Sequence, residues 1–220
     1  MAIDPRKRQK KHARKAAKRK GKQRELVKAK SAGIEERLAA AATAPVLDSW
    51  VSEDLWTEGM GYVALSRELP GGAVAFAMFL IDRYCLGVKN ALVHIEGRSS
   101  YDEHLSEIGA QFEKTETSPA AARKLVEAAV DYARGLGFAP HADYHKAKLI
   151  FGDIDAGECL QEFEFGKDGK PLFVAGPDDG PERCRRIINT LRHSCGADGF
   201  HYAVPFGPSE FVADVGSQEE

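Results

Sequence analysis

The chain lacks the features of a membrane protein and of a disulfide-rich secreted protein. No apolar run among its 220 residues reaches the roughly 18–20 residues that a membrane-spanning helix needs. Its four cysteines are dispersed, and no apolar segment precedes them at the start of the chain, which argues against a secreted disulfide scaffold. We therefore predict a protein without a membrane span, located in the cytoplasm or, if the source is a eukaryote, in the nucleus.

Motifs of nucleotide binding and nucleophilic catalysis are missing as well. The chain has no P-loop, no Gly-x-Gly-x-x-Gly and no Gly-x-Ser-x-Gly. Structural zinc sites use close ligand pairs such as Cys-x2-Cys, and the four cysteines form no such pair. We therefore predict no catalytic residue, no metal and no cofactor, and we interpret Cys184 and Cys195 as buried packing residues of one helix.

What the chain has is charge, divided unequally along its length. The overall net charge of −2 conceals a segment, residues 1–31, with 14 Lys and Arg and 2 acids, a net charge of +12. The remaining 189 residues carry 17 bases and 31 acids, a net charge of −14. Residues 1–31, called the basic arm below, contain no aromatic residue and many like charges at i,i+3 and i,i+4, so we expect the arm to be disordered in isolation.

The composition of the basic arm is typical of a segment that binds a polyanion. Ala, Lys, Arg and Gln favour helix once phosphates neutralise the charge, as in arms that order on RNA. The predicted nucleic-acid contacts in the arm are Arg6, Lys7, Arg8, Lys10, Lys11, Arg14, Lys15, Lys18, Arg19 and Lys20. Three other roles stay open: a solubilising tail, a targeting signal, and a clamp that folds back on the acidic remainder of the chain.

Hydrophobic periodicity predicts one compact α+β domain over residues 32–206, followed by a loose acidic tail over residues 207–220. Two apolar runs flank Pro70-Gly71-Gly72, which predicts a β-hairpin, and the next extended segment continues a meander. The second run, Ala73 to Ile81, is apolar on both faces and should be a central strand. A second hairpin is predicted around Gly166–Lys170, with strands at Phe163–Phe165 and Leu172–Val174.

Several amphipathic helices complete the predicted domain. An imperfect helix over residues 24–43 joins the arm to the domain, and a short one follows over Leu47–Leu55. Ser100 and Glu103 form a capping box, and Ser118 precedes a proline at the first helical position. A shorter helix is predicted over residues 140–151, a last helix begins at Pro181, and residues 200–206 form a final strand.

The last helix adds a second group of cations to the predicted binding surface. Its arginines fall away from the apolar stripe, and arginine suits bidentate contacts with phosphate. They are Arg183, Arg185, Arg186 and Arg192. We therefore predict a non-catalytic nucleic-acid-binding protein, with RNA or the ribosome as its partner.

Two alternatives stay open. Asp82 ends the apolar central strand, and Asp153 and Asp155 follow another apolar stretch, so the three carboxylates could serve a metal-dependent phosphodiesterase or nuclease. The acidic domain could instead act as a protein-interaction adaptor that binds a basic partner while the arm regulates access. An acidic protein partner for the arm also stays open.

Overall fold

A computed structural model describes residue 33 and residues 35–205, and it shows an α+β protein. Its main element is a five-stranded antiparallel sheet with the strand order β4-β3-β2-β1-β5. The strands are β1 (Val46–Ser52), β2 (Met60–Glu68), β3 (Ala73–Asp82), β4 (Gly87–Gly97) and β5 (Lys114–Glu116). The expectations for residues 1–31 and 207–220 lie outside the described residues.

The predicted hairpin and central strand are confirmed. β2 and β3 pair over their full length from Met60↔Asp82 to Glu68↔Val74, and β4 pairs with the other edge of β3. Gly71 and Gly72 in the turn have φ of +87° and +80°, a region that glycine enters without steric cost. β3 is buried along most of its length because side chains from helices cover both faces of the sheet.

The described part of the chain contains six α-helices. They are α1 (residues 35–41), α2 (Asp54–Thr57), α3 (Arg98–Gly109), α4 (Pro119–Gly135), α5 (Tyr144–Ala147) and α6 (Pro181–Cys195). No helix among these residues is long and apolar enough to cross a bilayer. Two 3₁₀ turns, Lys148–Phe151 and Ala156–Glu158, follow α5.

One face of the sheet packs against α4. The Ser118 hydroxyl accepts a hydrogen bond from the Ala121 N–H at 3.1 Å, which confirms the predicted N-cap. α4 is amphipathic, as predicted, since Ala122, Leu125 and Val126 are buried against the sheet together with Phe79.

The other face is covered by α3, whose Tyr101 packs with Trp50 and Phe76. The Tyr101 hydroxyl lies 2.8 Å from Asp48 Oδ2 and 3.0 Å from Ser66 Oγ. Burial raises the pKa of Tyr101, so this phenol stays protonated.

A C-terminal β6–α6–β7 unit replaces the second predicted hairpin. β6 (Leu172–Val174) pairs in parallel with β7 (His201–Ala203), and α6 provides the crossover between them. The predicted partner strand is not formed: Phe163 stacks on Trp56, and Phe165 stacks on Tyr132. Only one antiparallel bridge, Lys167↔Lys170, remains of the hairpin, so that prediction was wrong.

The predicted helix over Leu47–Leu55 was also wrong. Residues 46–52 form β1 instead, followed by the four-residue α2. Trp50 packs on the α3 side of the sheet and Val51 on the α4 side, which is the alternation of a strand. The spacing of apolar residues that suggested a helix is explained by burial on both faces of the sheet.

Smaller differences concern where elements begin and end. α3 begins at Arg98 with Gly97 as its N-cap, so Ser100 and Glu103 lie inside the helix and no capping box forms. The helix predicted over residues 140–151 is divided into α5 and a 3₁₀ turn that ends at Phe151 and is followed by Gly152, whose φ is +50°. The final strand is three residues long.

Candidate anion-binding site

The four arginines of α6 that were predicted to bind nucleic acid differ from one another in exposure and in ion pairing. Arg183 is half-exposed, and its Nε lies 2.8 Å from Asp179 Oδ1, four residues earlier in the chain. Arg185 is half-buried. Arg186 and Arg192 are exposed and make no ion pair with any residue in the described range. Two of the four guanidinium groups are therefore available to an external anion.

These arginines occupy two flanks of α6 and do not form one continuous face. A helix turns about 100° per residue, which places Arg183 and Arg192 about 180° apart around the axis. Arg186 lies about 60° from Arg183, and Arg185 about 20° from Arg192. The apolar stripe of Cys184, Ile187, Ile188 and Leu191 is buried between the two flanks, as predicted.

The Arg183 flank borders a pocket of about 230 Å³. The pocket lies between the start of β4, the N-terminal half of α6 and the segment that follows α4. Its apolar wall consists of Leu86, Val88, Phe138 and Ile187. Its polar wall contains three basic side chains, Lys89, His141 and Arg183. We call this the Lys89 pocket.

Lys89 reaches this pocket because β4 is irregular at that point. Leu80 on β3 is opposite Asn90, and Ile81 is opposite Val88, so Lys89 is the extra residue of a β-bulge. A bulge of this kind changes the direction in which a side chain projects from a strand. The Lys89 side chain is 14% exposed, which is low for an ammonium group.

Two buried carboxylates neighbour Lys89. Asp179 Oδ2 lies 4.0 Å from Lys89 Nζ and accepts a hydrogen bond from the Gly176 N–H at 2.9 Å. Asp82 is buried, which raises its pKa, and the positive charge of Lys89 opposes that rise. The Lys89 ammonium therefore interacts with both carboxyl groups while it borders the pocket.

His141 is held at the pocket by the backbone. The backbone N–H of His141 donates to the Val88 carbonyl at 2.9 Å, which fixes the segment after α4 against β4. Its Nδ1 accepts a hydrogen bond from the Asp143 N–H at 3.3 Å. The imidazole is thus positioned on one side of the pocket by contacts with two chain segments.

Each of the three carboxylates of the nuclease alternative has a local partner. Asp82 Oδ1 accepts from the backbone N–H groups of Tyr84 and Cys85, both at 3.0 Å. Asp153 pairs with Arg67 at 3.1 Å, and Asp155 accepts from the Gly157 N–H at 2.8 Å. Among the residues that the structure describes, no three His, Cys, Asp or Glu side chains gather as a metal-binding group.

The cysteines of α6 occupy packing positions. Cys184 is buried with its Sγ 3.4 Å from the Asp179 carbonyl, and burial raises its pKa. Cys195 is half-buried against the same apolar cluster. The interpretation of both as packing residues is consistent with these positions.

Sequence reasoning found Arg183 and missed Lys89 and His141. The available signal was a single lysine inside an apolar stretch, with Leu86 and Val88 before it and Ala91 after it. Its role depends on the bulge and on α6, which is more than 90 residues later in the chain. Neither feature leaves a local pattern around Lys89.

Comparison with known proteins gives no assignment: no protein-family model, no curated protein and no solved structure matches this chain.

Proposed function

We propose that this protein binds nucleic acid, with structured RNA as the preferred partner, and that the basic arm supplies most of the affinity. The observation that carries the proposal is the net charge of +12 within residues 1–31. Contacts between cations and phosphates release counterions, and this release supplies most of the free energy of non-specific binding. The 14 cations of the arm are sufficient for such contacts without a folded partner surface.

The folded part favours α6 as the second contact. Between Val46 and Thr117 the chain has 12 acids and 5 bases, a net charge of −7 that repels phosphate. Between Pro181 and Cys195 it has four arginines and one glutamate, a net charge of +3. Arg186 and Arg192 are exposed, which leaves their planar donor groups accessible to phosphate oxygens.

The test measures binding of labelled structured RNA, single-stranded RNA and duplex DNA by fluorescence anisotropy at several salt concentrations. If about eight arm cations contact phosphates, log K against log salt has a slope of roughly −7 on duplexes. Raising the salt from about 50 to 200 mM then lowers the affinity on the order of 10⁴-fold. Glutamine at the ten predicted arm contacts in the full chain lowers the affinity at least about a hundredfold. Unchanged binding by that variant refutes the proposal.

The contribution of α6 is tested with matched double variants. Arg186→Gln with Arg192→Gln is expected to make the slope less negative by about 2, because two phosphate contacts are lost. The control is Arg98→Gln with Arg134→Gln. These two exposed arginines lie on α3 and α4, and each pairs with an aspartate of its own helix, Asp102 and Asp131 respectively. The control should leave the slope unchanged, and equal effects of the two double variants would exclude α6 as a specific contact.

The same samples distinguish the two alternatives. Cleavage of RNA or DNA that requires Mg²⁺ or Mn²⁺ and is lost with Asp153→Asn and Asp155→Asn would favour the nuclease. Binding of a basic protein, with no affinity for any nucleic acid, would favour the adaptor.

A further inference from the structure

The Lys89 pocket contains an ammonium group whose hydrogen-bonding capacity is not filled by the protein. An ammonium has three donors, and burial of a charged group is costly unless those donors find acceptors. Lys89 is 14% exposed, and its nearest carboxylate oxygen, on Asp179, is 4.0 Å away, beyond hydrogen-bond length. Within the described residues Lys89 Nζ makes no hydrogen bond, and it is not one of the buried side-chain atoms without a partner, so it is accessible from the pocket. An acceptor from outside the protein would complete its coordination.

The charge balance of the pocket favours an anion. Lys89 and Arg183 both lie beside the Asp179 carboxylate, and Lys89 is also close to Asp82, whose pKa is raised by burial. The charged and ionisable side chains that line the pocket are all basic, Lys89, His141 and Arg183, and neither Asp179 nor Asp82 is among the lining residues. Arg183 lies in the first turn of the 15-residue α6, where the helix dipole adds positive potential.

The walls and the size restrict the ligand further. Leu86, Val88, Phe138 and Ile187 line the side away from the cations, so an organic group can be buried there. The volume of about 230 Å³ is below the roughly 300–1,000 Å³ of pockets for drug-sized ligands. It therefore suits a small molecule or the terminal group of a larger one. A planar arginine beside a point-charge lysine is a combination that suits phosphate.

We propose that the Lys89 pocket binds a phosphomonoester, with the phosphate between Lys89 and Arg183 and the organic part against the apolar wall. Such a group occurs on small metabolites and on the phosphorylated end of a nucleic acid. The proposal does not depend on binding by the basic arm, because it concerns a separate group of residues in the folded domain.

The test uses the full chain and phenyl phosphate as the probe, followed by isothermal titration calorimetry and by heteronuclear NMR shifts. Phenyl phosphate is expected to bind more tightly than inorganic phosphate, which lacks an organic part, and phenol is not expected to bind. Lys89→Met should lower the affinity for phenyl phosphate at least about tenfold, because one charge-assisted contact is lost. The control is Lys148→Met, an exposed lysine on the 3₁₀ turn with its ammonium over Tyr144, and it should bind normally.

Absence of phenyl phosphate binding, or equal binding by Lys89→Met and the parent, overturns the proposal. If Lys89→Met does not fold, Arg183→Gln replaces it, because the Arg183 side chain is half-exposed and tolerates substitution. The variant with ten arm glutamines should still bind phenyl phosphate. Refutation of nucleic-acid binding by the arm and refutation of phosphomonoester binding by the pocket therefore give different results. RNA with a 5′-phosphate is then compared with 5′-hydroxyl RNA. Preference for the phosphate identifies a nucleic-acid end as the source, and no preference identifies a small phosphomonoester.

Discussion

The five-stranded sheet and the C-terminal β6–α6–β7 unit are held together in different ways. In the sheet, β2, β3 and β4 follow each other through short turns, and β3 pairs along both edges. In the C-terminal unit, two three-residue strands pair in parallel, and 26 residues separate Val174 from His201. All three residues of β7 are exposed, whereas β3 is buried along most of its length.

The difference shows that the strands stabilise the sheet, whereas the helix stabilises the C-terminal unit. The buried cluster of that unit is formed by the apolar stripe of α6 with Phe173 and Phe200. It rests on Cys85 and Leu86 from the turn between β3 and β4, and on Leu136 after α4. A short parallel pair has few ladder hydrogen bonds, so its stability depends on packing by α6.

The largest expected effect is at Arg67 in the sheet, whose side chain is almost completely buried. Its guanidinium donates to the carbonyls of Ile150, Phe151 and Ala44, and it pairs with Asp153. Arg67→Met leaves three carbonyls without a donor, at about 1–3 kcal/mol for each buried group. We expect the free energy of unfolding in urea to fall by about 3–5 kcal/mol.

The matched control for Arg67 is Asp153→Asn. The Asp153 side chain is 65% exposed, so loss of its charge should cost less than about 1 kcal/mol. If both variants lose the same free energy, the ion pair stabilises the site and the carbonyl contacts do not. Together the variants show whether the sheet relies on buried hydrogen bonds.

The next largest effect is expected at Leu191, which is fully buried in α6. Leu191→Ala leaves a cavity that should cost about 2–5 kcal/mol. If the C-terminal unit depends on α6, amide hydrogen exchange should accelerate in β6, α6 and β7 before it does in β3. The control is Ile188→Val, a smaller deletion in the same stripe, expected to cost about 0.5–1.5 kcal/mol. Equal acceleration in β3 would show that the two regions unfold as one unit.

The smallest expected effect concerns Asp82 at the end of β3, which accepts a hydrogen bond from Cys85, a member of the buried cluster of the C-terminal unit. Its buried carboxyl has a pKa above the ordinary value of 3.8, so the folded state binds the proton more tightly than the unfolded state does. Stability is therefore lost as the pH rises from about 4 through the folded pKa of Asp82. Asp82→Asn does not ionise and keeps an oxygen that accepts from the N–H groups of Tyr84 and Cys85.

The Tm of Asp82→Asn, relative to the parent, should therefore increase between about pH 4 and pH 7. Thermal denaturation followed by circular dichroism measures this difference, and Asp155→Asn, an exposed turn residue, is the control without such a trend. A Tm difference that falls with pH would mean that Lys89 and the two N–H groups stabilise the carboxylate more than burial destabilises it.

Local contacts explain what the sequence could predict. The turn at Gly71-Gly72, the Ser118 cap and the stripes of α4 and α6 depend on residues a few positions apart, and the structure confirms them. β6 was placed correctly but paired wrongly, because its partner lies beyond α6 in the chain. Residues 163–165 resemble a strand, yet their two aromatic rings pack on α2 and α4.

In the candidate site, too, the sequence predicts what depends on nearby residues and misses what depends on distant ones. Arg183 was predicted from the composition of one helix, whereas Lys89 gains its role from a bulge and from Asp179, 90 residues away. The four arginines of α6 were predicted as one group of cations, but the turn angle of the helix divides them between two flanks. The sequence alone therefore predicts the basic character of the region and misses the pocket beside it.

Arg67 also has a consequence for the kinetics of folding. Its backbone partners are 23, 83 and 84 residues away along the chain, so the three hydrogen bonds form only after long loops have closed. Contacts of such range are absent when β2 and β3 first pair, since that hairpin needs only a short turn. Interactions missing from the transition state act mainly on the unfolding rate. We therefore expect Arg67 to lengthen the lifetime of the folded protein and to contribute little to the rate at which it forms.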